Sequence, residues 1–550
     1  MIFFGGNMLY FIPAWYQQDQ WCENEQRWSI RRMHTEFDDT VKQIQLFHRN
    51  KAYPYQIILL SFAPNFRHFL HRQGIYRAPY WSCFDSIQEI KRKRAVVLSF
   101  HNLKWPDGIE FVYTMFEIVA ILKKEKYARI DFGEDGNPIR IDLYQNGKLY
   151  RRNLYDDRGF ISSTIIFENE HPLYQDYLME NGIWKLRYFH KDGHVEINKK
   201  CPEFLLHYSN KGETRRFSRL SYDNMEQVIY EVLTSFLEVT KTQDVFCVAM
   251  HRLHVNLLQE ALKDRKLILS FFENRYSITA HPEGMGIITQ ADYLVIDSQK
   301  NVYKMQKESG RQIENIMVIP PYDSRIDIGI SQQLDVQKIL VPIDDITDEK
   351  FGRLIHVLGE YLLINENARI HLFTRKAEYD RKRKVLEHTR RELEKVGLEE
   401  EWAIEDGERS AESELELEEP VQVRFFVEQC VDELTVSKCM REQRLLVDLR
   451  EVPELYLQIT AISIGIPQVV CTKTEFVEHN KNGIVLKGME MLTDALNYYL
   501  DGLSNWNQAM VYSYELVKEY TTEKLLGKWK EVMDSIGGDS CFTVGGRELE

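Results

Sequence analysis

Asp38-Asp39 and Asp156-Asp157 are paired carboxylates of the sort that glycosidases use. The first pair falls in the first turn of an expected helix, where the helix dipole accounts for it, and the second in an expected turn. His251-Arg-Leu-His254 imitates two metal ligands at i and i+3. No third ligand stands at a suitable spacing, which favours ordinary surface or core histidines. Cys247 follows an apolar run and has no paired base, so it does not read as a nucleophile. No glycine-rich phosphate loop is present. The positive signal is aromatic. Trp15, Tyr16, Trp21 and Trp28 lie in the loop leaving a first strand, at the carboxyl edge of a sheet where α/β proteins bind ligands. Sugar rings stack on such faces through their C–H surfaces; the competing reading makes these rings interdomain core.

The elements that position these residues follow from periodicity. Leu9 to Ile12 reads as a strand ended by Pro13. Thr35-Glu-Phe-Asp38 resembles a capping box with Asp in place of Glu, opening a helix through Phe37, Val41, Ile44 and Phe47. Ile57 to Phe62 and Ala95 to Phe100 read as strands around a short helix from Phe84 to Ile90. Strands and helices alternate again from Met225 to Asp297, and a second α/β unit follows Pro320-Pro321 with Lys338 to Pro342, Asp348 to Tyr361 and Arg369 to Thr374. Alternation of this kind predicts parallel sheets covered by helices. Between them, Asp-Gly and Asn-Gly dipeptides break period-two segments, which predicts an antiparallel meander.

The expected division is therefore an N-terminal Rossmann-like domain (1–126 and 222–320) and an inserted extended β-sheet domain (127–221). A C-terminal Rossmann-like domain (321–505) carries a charged insertion at 375–420, and C-terminal helices (506–535) precede a disordered tail (536–550). The 550 residues are too many for one core. With 44% hydrophobic and 28% charged residues, the composition is that of an ordinary soluble globular protein. A formal charge of −14 argues against a nucleic-acid partner. The eight cysteines are scattered singles, as in a reduced cytoplasmic protein. The apolar start lacks a basic flank and a cleavage site, and no run of about 18 apolar residues follows, so a cytoplasmic location is expected.

One further stretch, Glu451 to Cys471, resembles the loop, helix and strand E-x7-E-A-x-A-x-G-x-P-V-V of retaining GT-B glycosyltransferases. The resemblance implies an α/β, GT-B-like fold: two Rossmann-like domains facing a cleft. In those enzymes the second glutamate accepts hydrogen bonds from the donor ribose, and the first lies beside the donor sugar. Aligned on Gly465 and Pro467, these positions are Thr460 and Val452, with Glu451 one place off. The family's G-R-x-x-x-E-K-G element corresponds to Ile343 to Lys350; Lys350 is kept, and Asp344 and Asp345 stand in place of glycine and arginine. An aspartate facing a diphosphate repels it, whereas arginine would clamp it. Glu475 to Leu486 matches the next element, which packing alone can retain. The frame resembles a transferase with its anion-gripping side chains replaced. A carboxylate and an arginine converging from other positions on a UDP-sized hollow would overturn that reading.

Tyr10-Phe-Ile-Pro-Ala-Trp-Tyr16, Glu36 to Ile44, Leu70-His-Arg-Gln73 and Trp81-Ser-Cys-Phe-Asp85 are similar to the first of the accessory Sec system proteins of Gram-positive bacteria. Met8 matches that family's usual start, which makes the first seven residues an extension. The meander, including Tyr155 to Phe160, is similar to the β-sheet insertion of the glycosyltransferases encoded beside such proteins, and their histidines after a strand correspond here to Phe272 and Arg275. The resemblance implies a non-catalytic export factor without a cofactor. Its partners would be two other accessory proteins, a SecA-type motor ATPase and glycosylated serine-rich repeat adhesin bearing N-acetylglucosamine, with the membrane approached only through partners. Two alternatives stay open: an active retaining transferase using Lys350 with Glu451 or Glu454, and a pure scaffold.

Overall fold

The computed structural model describes residues 7–16, 20–21, 37–133, 135–206, 213–310, 312–404 and 422–537, and the backbone of 543–544 and 547–548. Seven parallel strands form the first sheet, in the order Ile316–Val318, Tyr293–Ile296, Lys266–Phe271, Val245–Ala249, Leu9–Ile12, Tyr55–Leu59, Tyr80–Ser82. Leu9–Ile12 and Val245–Ala249 are fully buried, which is why they read as unbroken apolar runs instead of alternating ones. Asp38 caps the helix Asp39–Asn50 by accepting from Val41 N at 3.0 Å. The helix thus starts after the expected Thr35, which lies outside the described residues.

Ten antiparallel strands run from Glu110–Tyr113 to Ser221–Tyr222 as a second sheet. Asn146 (φ 51°) and Gly147 (φ 74°) supply the left-handed pair that a two-residue hairpin needs. This sheet opens at Glu110, earlier than the expected boundary at 127. The expected strand at 95–100 is absent; the segment ends in a single 3-10 turn, Phe100–Asn102. Its backbone donors go sideways, Val96 N to Arg158 O at 3.1 Å and Leu98 N to Asn137 Oδ1 at 2.8 Å. Its apolar side chains are not matched to a strand, since Val97 is 88% exposed.

A third, parallel sheet has the order Phe425–Gln429, Ala368–Thr374, Gln337–Pro342, Leu445–Asp448, Gln468–Val470, Gly483–Val485. The helix Leu455–Ile464 ends at Gly465, whose φ of 83° and tight surroundings demand glycine. A β-carbon there would meet Met510 Cγ at 2.7 Å and the Tyr514 ring at 2.9 Å. Within the charged segment, the helix Arg381–Lys395 still buries Val385, Leu386 and Leu393, and Trp402 joins the same core. The chain finally returns to its beginning. Leu525, Trp529 and Val532 of the helix Thr522–Ser535 pack with Leu9, Phe11 and Phe47 under the first sheet.

Candidate functional site: the cleft between the two parallel sheets

A hollow of about 740 Å³ opens between the two parallel-sheet units. Phe37, Glu273 and Asn274 line one wall, and Asp344, Asp345, Lys350, Arg375, Lys376, Arg450, Glu451, Val452 and Glu454 belong to the other. Five of the six residues picked out by the transferase motif are thus gathered around one cavity. The sixth, Thr460, is absent from the lining; its hydroxyl donates back to Tyr456 O at 2.6 Å within the helix.

Three of the four cations of this wall contact acceptors of the protein itself. Arg450 grips Asp448 through two bonds of 2.9 and 2.7 Å, and Asp448 is completely buried. Arg375 is ion-paired with Glu454 and its guanidinium carbon sits 3.5 Å from the Phe37 ring centre, while none of its side-chain nitrogens makes a well-formed hydrogen bond among the described residues. The Lys350 ammonium donates to Leu449 O. Asp344 is equally committed, accepting from Thr374 Oγ1 and Arg375 N at 2.7 Å each and from Arg381 at 3.1 Å. Asp345 adopts φ 62°, a conformation rare for a side chain larger than glycine. In all, five lining carboxylates (Glu273, Asp344, Asp345, Glu451, Glu454) face four lining cations (Lys350, Arg375, Lys376, Arg450). A wall without cationic excess has little to offer a diphosphate.

Arg375 and Arg450 are the cleft-lining residues that the motif alignment misses. Both follow apolar strands, Ala368–Thr374 and Leu445–Asp448, at the carboxyl ends where α/β sheets present ligand-facing groups. An arginine after such a strand is the signal that could have found them. They meet part of the condition set for overturning the retired-transferase reading, since arginines and a carboxylate do converge on the hollow. Their charges, however, are already matched by Glu454 and Asp448.

The opposite side holds a polar network at the carboxyl edge of the first sheet. Arg275 donates to both Asp39 oxygens, to Met250 O at 3.0 Å and to Ser270 O at 3.0 Å. Phe272 packs with Tyr322, Leu455 and Ile459 in a cluster joining the two units. Asp38 accepts from the Trp15 indole at 2.9 Å, and burial together with the neighbouring Asp39 raises its carboxyl to about 6. The Trp15 ring lies 4.8 Å from Phe69. Tyr16 OH donates to His254 Nε2 at 2.7 Å, while His254 Nδ1 donates to Ala249 O at 2.7 Å. Burial, reinforced by His251, pushes His254 down to about 3, so its ring stays neutral. Trp21 is half-buried and stands edge-on to Tyr16, and Trp28 lies outside the described residues. Asp156 and Asp157 sit elsewhere: Asp156 holds Arg158, and Asp157 accepts from the Arg67 backbone N–H at 2.8 Å.

The family model for the accessory Sec system protein that stands first in the Asp series matches residues 8–535. The chain belongs to that family. A relative of the same description from Streptococcus gordonii is 31% identical over 532 residues, covering 95% of this chain and 98% of its own. One from Staphylococcus aureus (strain NCTC 8325 / PS 47) is 31% identical over 534 residues, covering 96% and 99%. Among solved structures, the Glycosylation Associate Protein (Gap123) complex from Streptococcus agalactiae contains a chain 27% identical, with a TM-score of 0.75 and coverage of 96% and 100%. The structure of accessory secretory protein 1, 2 and 3 in Streptococcus pneumoniae gives 28% and 0.75, with coverage of 96% and 99%. A GtfA/B complex chain at 13% identity, TM-score 0.66 and coverage of 96% and 99% shows the shared fold alone, which is GT-B-like. Among the described residues no helix is long and apolar enough to cross a membrane.

Beside the cleft of this family member, Asp297 is 2% exposed and accepts from Glu273 N at 2.6 Å and Asn301 Nδ2 at 2.7 Å, yet burial lifts its carboxyl to about 6. The folded state therefore holds a proton that the unfolded chain releases near its ordinary, lower value. Stability from this group is present below that ordinary value and is lost as pH rises through about 6. Asp297→Asn keeps the shape without the charge. Denaturation midpoints should show the variant gaining on the wild type between about pH 4 and about pH 7; a constant difference would contradict the shift.

Proposed function

We propose that this member of the accessory Sec system is non-catalytic. In this reading a GT-B-like scaffold holds glycosylated serine-rich repeat adhesin and links it to the export machinery. One observation carries the proposal: Arg375, Arg450 and Lys350, three of the four cations at the cleft, are engaged by Glu454, Asp448 and Leu449 O. To turn Arg375 or Arg450 fully onto a nucleotide diphosphate, the site would have to give up the pairing with Glu454 or Asp448, and stranding one partner of a buried pair costs about 3–5 kcal/mol. The cleft is also bridged. Lys42 of the first unit pairs with Glu433 of the second, and Phe37 packs on Tyr456 with ring centres 5.1 Å apart. A bridged cleft suits a tether better than an enzyme that must open and close.

The relative solved together with accessory secretory proteins 2 and 3, and the one solved in a Gap123 complex, support two accessory partners for this chain. The SecA-type motor and the adhesin complete the proposed assembly. Glycan contact is assigned to the loop of Trp15, Tyr16, Trp21 and Trp28. Because Trp15 and Tyr16 spend their polar atoms on Asp38 and His254, only ring edges and faces are offered to a sugar. The test is binding of a serine-rich repeat segment with and without N-acetylglucosamine to the reconstituted three-protein complex. Glycan-dependent binding, weakened by Trp21→Ala, is expected; equal binding of both forms would leave only a scaffold.

The convergence of Arg375, Arg450 and Glu454 favours a second reading, an active retaining transferase. In it Glu454 would release Arg375 to a donor phosphate, and sugar incorporation into a serine-rich acceptor would depend on Lys350.

A further inference from the structure

We propose that Cys430, Cys439 and Glu428 form a binding site for one soft divalent cation, zinc foremost, at the edge of the C-terminal sheet. Period two along the edge strand Phe425–Gln429 places Phe426, Glu428 and Cys430 on one face. The helix Glu433–Arg441, started by an Asp432–Thr435 capping box, covers that face and buries Val436 and Met440 against it. Its last turn delivers Cys439. One ligand atom from each of the three residues then lies within 4.8 Å of the other two. Tetrahedral zinc, with bonds of about 2.3 Å to sulfur and about 2.0 Å to oxygen, needs ligand atoms roughly 3.5–3.8 Å apart. From the 4.8 Å limit the ligand atoms would close by about 1 Å on taking up the ion.

The surroundings hold the ligands as a metal site requires. His371, on the neighbouring strand Ala368–Thr374, sets Nδ1 2.8 Å from Glu428 Oε1 and stacks on Phe426 at 5.1 Å. One carboxylate oxygen is thereby fixed and the other left for the ion. Gln443 Nε2 lies 3.7 Å from Cys439 Sγ, and Cys430 N donates to Thr374 O at 3.0 Å. Two sulfurs select a soft ion over magnesium or calcium. The Glu428 side chain is 33% exposed, so water can supply the fourth ligand. Binding is not a redox step: two thiol protons leave to solvent as two metal–sulfur bonds form. The C-x8-C spacing matches no familiar zinc signature, so only the fold reveals the pair.

The full chain, reduced and handled without air, would be titrated with cobalt(II) as spectroscopic probe and then with zinc. One equivalent of cobalt with thiolate charge-transfer absorption, displaced by zinc, is expected. Cys430→Ser and Cys439→Ser should each abolish the sulfur band. His371→Ala should weaken binding by about 10–100-fold, and Cys201→Ser should change nothing. Glu428→Gln, which keeps both thiols and the packing, provides a weakened variant should a cysteine variant fail to fold. Absence of the band, its survival without either cysteine, or a pair that takes up no cobalt and closes to a disulfide in air would overturn the proposal.

Discussion

Trp529→Ala is expected to lower the free energy of unfolding by about 3–5 kcal/mol, the range for removing a large aromatic from a packed core. Trp529 is completely buried, with Phe47 at 5.5 Å and Phe11 at 6.4 Å in edge-to-face contact. Phe11 belongs to the first strand and Trp529 to the last long helix, so the lost contacts tie the beginning of the chain to its end. Among the described residues the indole N–H meets no hydrogen-bond acceptor, so the contacts seen at this residue are those of shape and apolar area. Trp529→Phe should therefore recover most of the loss. Denaturant midpoints of the three proteins check this; an alanine variant within about 1 kcal/mol of wild type would contradict it.

Arg158→Met should cost a similar amount, by a different route. Arg158 joins Asp85, on the short helix Cys83–Ile87 that follows the edge strand of the first sheet, to Asp156 of the antiparallel sheet. It makes two bonds of 2.8 Å to Asp85 and bonds of 2.6 and 2.7 Å to Asp156. All three residues are buried. Removing the cation strands two carboxylates where water cannot reach them, a loss of about 3–5 kcal/mol for a single broken pair. The triple variant with Asp85→Asn and Asp156→Asn removes the stranded charges and should regain part of the stability. If the single variant unfolds like the wild type, the antiparallel sheet is not locked to the first unit through this cluster.

Much of the fold is legible in local residue patterns. Buried parallel strands such as Val245–Ala249 announce themselves as apolar runs, and Asn146-Gly147 announces its hairpin through backbone chemistry alone. The segment 95–100 misleads because its Ala-Val-Val-Leu run has strand composition, while its hydrogen-bond partners, Arg158 and Asn137, lie far along the chain. The same limit applies at the cleft. Spacing relative to Gly465 and Pro467 is enough to gather Glu451 and Val452 at the hollow, with Asp344, Asp345 and Lys350 brought in by the preceding element. It says nothing of Arg375 or Arg450, whose significance depends on which carboxylate the fold sets beside each. Asp156-Asp157 shows the converse: two neighbours in sequence serve separate structural tasks, one gripping Arg158 and one capping a helix. Charge pairing is a tertiary property, and pairing decides whether this cleft attracts anions.

The cleft's guanidinium groups answer to the protein's own carboxylates, and the non-catalytic reading depends on that pairing. Isothermal titration of the full chain with a UDP-sugar measures this directly. No saturable binding and no sugar release are predicted for the wild type, and Glu454→Ala, which frees Arg375, should gain measurable affinity. Micromolar binding with turnover by the unaltered chain would contradict the account.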